Sequence, residues 1–265
     1  IMTDLIEAVI LGIVQGLTEF LPVSSSGHLE IAKYLLKDDS FADQSVLTTV
    51  FLHFATAIAT LLVFRKDVSH IIKGIFRSSG KEERRFSLYI IVSMIPAVFV
   101  GLLFEEAIDD LFDKNMMLVG ICLLITAFLL WFSEYIQPDI RKLNGVSAFI
   151  MGAAQAVAIL PGISRSGATI STALLLGLNK EQAARFSFLM VIPIIFGKIA
   201  MDLISGEFQS NMPSMAYLLA GFLAAFFTGV FACKAMIAIV KRSGLHWFSL
   251  YCIVIGILAI IAALS

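Results

Sequence analysis

The chain of 265 residues is short of charge, with 15% Asp, Glu, Lys and Arg where ordinary soluble domains carry about 25%. Its 19 Lys+Arg against 20 Asp+Glu leave a formal net charge of −1, which excludes the basic footprint of a nucleic-acid binder. Cysteine is scarce too. Cys122, Cys233 and Cys252 lie scattered in apolar runs without C-x-x-C spacing, so they encode neither a disulfide framework nor a metal knuckle and read as packing residues. Asp4 and Glu7 stand where a signal peptide would carry Lys or Arg, and no small-residue cleavage site follows. The N-terminal segment is therefore expected to be retained.

Apolar residues are abundant: 59% of the chain is hydrophobic and the mean hydropathy is +0.93. A water-soluble globule of this size could not hide that surface, so a soluble enzyme is excluded and an all-α integral membrane protein is expected. Six runs, 46–64, 86–104, 116–132, 182–202, 214–234 and 247–263, have the ~17–25 residues that cross a bilayer. They fill a single polytopic membrane domain over 1–265 and leave no room for a soluble one.

Two further apolar stretches break in the middle. The stretch 8–36 is interrupted at Pro22, Ser24, Ser25, Ser26 and Gly27; the stretch 148–176 at Pro161, Gly162, Ser164, Arg165, Ser166 and Gly167. Arms of 10–14 residues reach only about 15–21 Å, short of a ~30 Å hydrocarbon core. Polar, irregular backbone at membrane depth survives only under protein or beside a water-filled cavity. Both stretches are thus expected to be re-entrant helix–loop–helix hairpins.

The hairpins are copies of one another. A shift of 140 superposes Ala8 on Ala148, Ile10 on Ile150, Gly12 on Gly152, Gln15 on Gln155, Ser24 on Ser164, Ser26 on Ser166, Gly27 on Gly167 and Leu35–Leu36 on Leu175–Leu176, nine identities over the 29 positions 8–36. Each hairpin precedes three spans, an odd number of crossings. The pseudo-repeats, about 5–135 and 145–265, are therefore expected to have inverted topology, an arrangement found in transporters with broken helices. Loop charge agrees. Connections 65–85, with seven Lys and Arg, 133–147, with Arg141 and Lys142, and 235–246, with Lys241 and Arg242, are basic; 105–115, with one Lys and five acids, and 203–213, with neither Lys nor Arg, are not. The positive-inside rule then places both termini outside the cytoplasm, against Lys33 and Lys37, which have Asp38, Asp39 and Asp43 as neighbours.

Ionisable residues inside membrane segments are costly and by default functional. The first hairpin carries Glu19 and His28 around its serines, and the second carries Arg165. A helix beginning at each tip offers backbone N–H groups and a positive dipole end, which favour phosphate; the same serines also serve as N-caps. Arg165, with its planar fork, suits a phosphate. In the repeat alignment Ser25 takes its place, pairing a hydroxyl nucleophile with a cationic clamp. His28, one turn past Ser25, is a candidate general base. Glu19 is expected to orient His28, to ligate a divalent cation, or both; its repeat counterpart is Ile159. A structural Arg165–Glu19 ion pair and a core role for His28 are the plainer alternatives. Lys198 and Asp202 read as an ion pair or snorkelling groups, His53 as packing, and Gly12, Gly16, Gly152 and Gly177 as close helix contacts.

Gln15-Gly-Leu-Thr-Glu19-Phe-Leu-Pro22-Val-Ser-Ser-Ser-Gly27-His28, together with Pro161-Gly-Ile-Ser-Arg165-Ser-Gly-Ala-Thr169, resembles the two signature motifs of the bacterial undecaprenyl-pyrophosphate phosphatases, the bacitracin-resistance family. The resemblance covers essentially the whole chain. It implies an inner (plasma) membrane enzyme that hydrolyses a polyprenyl pyrophosphate to regenerate the lipid carrier of peptidoglycan synthesis, and that confers bacitracin resistance. It also implies dependence on a divalent cation (Mg²⁺ or Ca²⁺) and an active site facing the periplasm or outer surface. By the same resemblance Glu19, Ser25, His28 and Arg165 form the catalytic core, with Glu19 as the metal ligand. Gln15, Ser24, Ser26, Gly27, Ser164, Ser166, Gly167 and Thr169 are supporting, substrate-binding positions. Many members have Glu where this chain has Gln15, so the acidic work falls on Glu19 alone.

The residues are equally compatible with attack by Ser25 and by an activated water. A carrier-lipid transporter or flippase is the competing reading, motivated by the inverted repeat. The other membrane lipid-phosphatase family fails, since it requires a Lys-x₆-Arg-Pro motif and a second His after the Arg, and no His lies between Arg165 and His246. Membrane lipids are the expected surroundings. A homodimer is possible, though nothing in the residues argues for it.

Overall fold

The computed structural model describes residues 2–36, 41–104, 115–136, 141–205, 213–242 and 244–264 and, within them, all side chains except those of 2, 3, 36, 41–46, 198 and 202–205. The described residues form helices and connections only, with no strand. In chain order the helices are α1 (Met2–Phe20), α2 (Ser25–Leu36), α3 (Phe41–Val63), α4 (Arg65–Ile75), α5 (Lys81–Leu103), α6 (Met116–Glu134), α7 (Gly145–Val157), α8 (Arg165–Leu175), α9 (Lys180–Ser205), α10 (Met215–Lys241) and α11 (Leu245–Leu264). The Lys198–Asp202 pairing and the loop charges at 37–40, 105–114 and 206–212 lie outside the described residues.

Among the described residues, five helices are long and apolar enough to cross a membrane: Lys81–Leu103, Met116–Glu134, Lys180–Met201, Met215–Lys241 and Leu245–Leu264. The sixth expected span, 46–64, corresponds to Leu47–Val63, which meets Arg65–Ile75 at a bend of 76°. The basic stretch 65–85, read from sequence as a connection, thus begins with a helix. Its end is closed by Arg84, whose guanidinium donates to the carbonyls of Ile75, Arg77 and Ser78 at 3.3, 2.6 and 3.3 Å, a cation on the negative end of a helix dipole. Arg185 of α9 ties the same region down by an ion pair to Asp67 at 2.7 Å.

Large apolar side chains cover the outside: Phe99, Phe128, Phe227 and Trp247 are each 60% or more exposed. Such a surface has hydrocarbon, not water, as its solvent. The three cysteines are free and buried, as packing residues.

The breaks fall where the serine-glycine clusters stand in the chain, between α1 and α2 and between α7 and α8. The arms differ in length. α1 runs 19 residues because it starts at Met2, with Asp4 on its positive N-terminal end, whereas α7, α8 and α2 have 13, 11 and 12. α7 starts on a capping box in which Asn144 accepts from the Ser147 N–H and Ser147 Oγ accepts from the Asn144 N–H, both at 2.9 Å.

Helices of the two halves pair reciprocally. α1 packs on α10, α7 packs on α5, and α6 packs on α11. The crossings are close because they run over bare backbone: a Cβ at Gly12 would stand 2.3 Å from the Gly221 carbonyl oxygen, and one at Gly152 would stand 2.2 Å from that of Ser93. Gly177 plays a different part from the one expected. Its φ of +86° closes α8, with the Gly177 N–H donating to Leu174 and the Leu178 N–H to Ala173, the two bonds of a Schellman cap.

Candidate active site

The two tips interlock. At the first, Ser24 takes a left-handed conformation with φ +71°, and its Oγ accepts from the Gly27 N–H at 3.2 Å and lies 3.3 Å from Ser26 Oγ. At the second, Ser164 Oγ accepts from the Gly167 N–H at 3.1 Å and lies 3.3 Å from Ser166 Oγ. The chain reversal is solved differently there: Ser164 has φ −72°, and Gly162 takes the left-handed position at +97°. Ser166 Oγ donates across to the Leu21 carbonyl at 3.2 Å, and a Cβ at Gly27 would stand 3.0 Å from Gly162 Cα. Two long helices hold the tips. Thr126 Oγ1 of α6 donates to the Gly162 carbonyl at 3.2 Å and accepts from the Ser164 N–H at 3.0 Å; Cys252 Sγ of α11 lies 3.7 Å from the Pro22 carbonyl oxygen.

Glu19, on the last turn of α1 and 7% exposed, is the centre. Its Oε2 accepts from Ser25 Oγ at 2.8 Å and from Gln15 Nε2 at 3.1 Å, while Oε1 accepts from Arg165 Nη2. Hydroxyl, carboxylate and guanidinium thus meet although 146 positions separate Arg165 from Glu19. The Arg165–Glu19 ion pair named among the plainer readings exists, and it sits directly on the Ser25 hydroxyl. Arg165 Nη1 and Gln15 Oε1 are buried without a hydrogen-bond partner among the described residues. A buried, unpaired guanidinium nitrogen is costly, and a phosphate oxygen would satisfy it.

The hydrogen bonds of His28 go to Ser24 and Tyr251. Its Nδ1 is 2.8 Å from the Ser24 carbonyl oxygen, which can only accept, so Nδ1 carries the hydrogen; Nε2, at 2.8 Å from Tyr251 Oη, then accepts from the tyrosine. The His28 and Tyr251 rings lie 5.6 Å apart and nearly parallel, at 11°. The Ser25 hydrogen is donated to Glu19. The histidine beside Glu19 is His53 of α3, with Nε2 3.9 Å from Oε2. Sequence reasoning reads His53 as packing; the tertiary structure puts its ring beside Glu19.

The remaining supporting positions build the tips. Ser24, Ser26, Gly27, Ser164, Ser166 and Gly167 are engaged in the bonds described above. Thr169 Oγ1 donates to the Arg165 carbonyl at 2.8 Å and shares a hydrogen with Ser187 Oγ at 2.5 Å, which fixes α8 on α9 beneath Arg165.

A divalent cation fits the donors at Glu19. The carboxylate, the unpartnered buried Gln15 Oε1 and the Ser25 hydroxyl are oxygen donors of the type hard cations take. No cluster of three or more His, Cys, Asp and Glu exists among the described residues, so the protein supplies few charged ligands.

Residues 8–258 match the family described as Bacitracin resistance protein BacA. The chain is 57% identical to the undecaprenyl-diphosphatase of Christiangramia forsetii over 98% of both proteins. It is 46% identical to that of Bacteroides thetaiotaomicron over 98% of this chain and 99% of the relative, and 44% identical to that of Bacteroides fragilis over 97% of each. With the family match spanning nearly its whole length and these identities behind it, the chain belongs to the bacitracin-resistance protein family.

Proposed function

We propose that this protein is an undecaprenyl-diphosphatase, a membrane-embedded hydrolase that converts undecaprenyl pyrophosphate to undecaprenyl phosphate and inorganic phosphate. The single observation that carries the mechanism is the Ser25–Glu19–Arg165 contact. Arg165 binds the terminal phosphate through its fork, with the unpartnered Nη1 as first donor, and leaves Glu19 as it does so. Ser25 Oγ attacks the terminal phosphorus. The new Oγ–P bond forms as the bridging P–O bond breaks, undecaprenyl phosphate leaves with the electron pair, and the hydroxyl proton passes to the Glu19 carboxylate. Water then cleaves the phosphoserine, releasing phosphate and restoring Ser25. A divalent cation held at Glu19, Mg²⁺ or Ca²⁺ in the family reading, supplies neutralisation of the phosphate charge.

The protein's setting follows the same logic. The chain forms one membrane domain of two inverted halves, about 5–135 and 145–265, with α1–α2 and α7–α8 as re-entrant hairpins. The reciprocal pairing of α1 with α10 and α7 with α5 supports it. The site opens to the outer face of the bacterial inner membrane, as loop charge implies, and regenerates the carrier for peptidoglycan synthesis, with bacitracin resistance as the consequence.

The test is release of inorganic phosphate from long-chain polyprenyl pyrophosphate by the purified full chain in detergent. The wild type is expected to turn over, and Ser25→Ala and Arg165→Ala to lose nearly all activity while remaining folded. Undiminished turnover in both variants refutes the assignment. Acid quenching during turnover is expected to trap phosphate on Ser25; normal turnover by Ser25→Ala would instead favour direct attack by water.

A further inference from the structure

His53 is the one charged or ionisable neighbour of Glu19, besides Arg165, that the described residues show. The imidazole Nδ1 lies 2.8 Å from the Thr49 carbonyl oxygen. A carbonyl oxygen only accepts, so Nδ1 carries the hydrogen, and it is Nε2 that is left to bind a cation through its lone pair. That nitrogen faces Glu19 Oε2 at 3.9 Å, beyond the ~2.7–3.2 Å of a direct hydrogen bond. An imidazole nitrogen and a carboxylate oxygen therefore stand across a gap too wide for a direct hydrogen bond. Metal–nitrogen and metal–oxygen distances of about 2.0–2.2 Å each fill such a gap with a cation between them. The Thr49 bond is also what metal-binding histidines have on their far side: an N–H to a backbone carbonyl that fixes tautomer and ring direction. His53 is 32% exposed on its side chain against 6% for Glu19. Gln15 Oε1, buried and unpartnered one turn earlier on α1, is a further oxygen.

We propose that His53 Nε2 is a protein ligand of the divalent cation at Glu19, and that this nitrogen gives the site a preference for borderline first-row ions such as Mn²⁺ over Mg²⁺ and Ca²⁺. The inference rests on the cation reading under the proposed function and adds to it the ligand and the metal class. An all-oxygen site favours the hard cations; one imidazole shifts the order toward the first-row transition ions. Ser25 and Arg165 keep the roles already assigned.

The experiment uses Mn²⁺ as probe on the full chain in detergent, read by electron paramagnetic resonance for bound ion and by electron spin-echo modulation for nitrogen in its coordination sphere. The wild type is expected to bind Mn²⁺ with ¹⁴N modulation from one imidazole. His53→Gln is expected to lose the modulation, to weaken Mn²⁺ binding about tenfold or more, and to lose the preference for Mn²⁺ over Mg²⁺ in competition. Should His53→Gln fail to fold, a triple variant, His28→Gln/His70→Gln/His246→Gln, leaves His53 alone of the four histidines and is expected to retain the modulation. Bound Mn²⁺ without ¹⁴N modulation in the wild type overturns the His53 proposal and leaves the cation reading standing. Absence of Mn²⁺ binding overturns both, and modulation that survives in folded His53→Gln overturns the assignment to His53.

Discussion

Ser25 donates its hydroxyl hydrogen to Glu19 across 2.8 Å, and the acceptor oxygen belongs to a carboxylate whose other oxygen is held by Arg165. The serine is therefore already on its proton acceptor before substrate arrives. Glu19→Gln keeps the side-chain shape and removes the acceptor charge. It is expected to lower kcat by roughly 10²–10⁴, the range for a positioned general base, with little change in KM. Steady-state phosphate release from a polyprenyl pyrophosphate measures it.

Arg165→Lys separates charge from geometry. Lysine retains the positive charge but not the planar fork that grips a phosphate with two nitrogens. The variant is expected to stay folded and to lose at least about tenfold in kcat/KM, a single forfeited charge-assisted hydrogen bond being worth about 1.5–3 kcal/mol. Arg165→Ala, which leaves Glu19 buried and unpaired, is expected to cost about 3–5 kcal/mol of stability as well. Thermal unfolding in detergent distinguishes the two.

Ser24 holds a left-handed conformation that costs a non-glycine residue about 1–3 kcal/mol, and its hydroxyl caps α2. Ser24→Gly removes the strain along with the cap and is expected to leave stability within about 1 kcal/mol of wild type. Ser24→Ala keeps the strain and loses the cap, for a loss of about 0.5–2 kcal/mol. An alanine variant as stable as the glycine variant would show that the cap, the strain or both are absent in the folded protein.

Gly16 places α1 against α10 so closely that a Cβ would stand 2.0 Å from Thr228 Oγ1 and 2.5 Å from the Ala225 carbonyl oxygen. Gly16→Ala forces the helices apart and is expected to cost about 1–3 kcal/mol or more. Because Glu19 follows three residues later on the same helix, activity should fall with it. Unchanged melting temperature and turnover would mean that the crossing is looser than these distances imply.

Chelation is the remaining test. With divalent cations removed, phosphate release is expected to stop and to return on adding a divalent cation, because Arg165 alone then faces the charge of two phosphate groups. Full activity after exhaustive chelation would exclude a cation at Glu19.

Much of this molecule is legible in its residues alone. Sparse charge and long apolar runs set the membrane class, because hydrocarbon tolerates little else. The paired Ser-x-Ser-Gly breaks mark both tips, since serine caps and glycine act over three or four residues of local chain. Gln15, Glu19 and Ser25 are within reach of the same local reasoning. Which groups face Glu19 is a matter of tertiary packing. His28, nine positions along the chain, is bonded to Ser24 and Tyr251, while His53, on another helix, and Arg165, 146 positions distant, come to the carboxylate. Sequence separation carries no distance across a helix bundle. The register of α1 on α10 and the seating of the two tips on α6 and α11 set it, through close backbone contacts at glycines and single hydrogen bonds that leave no periodic trace in the chain.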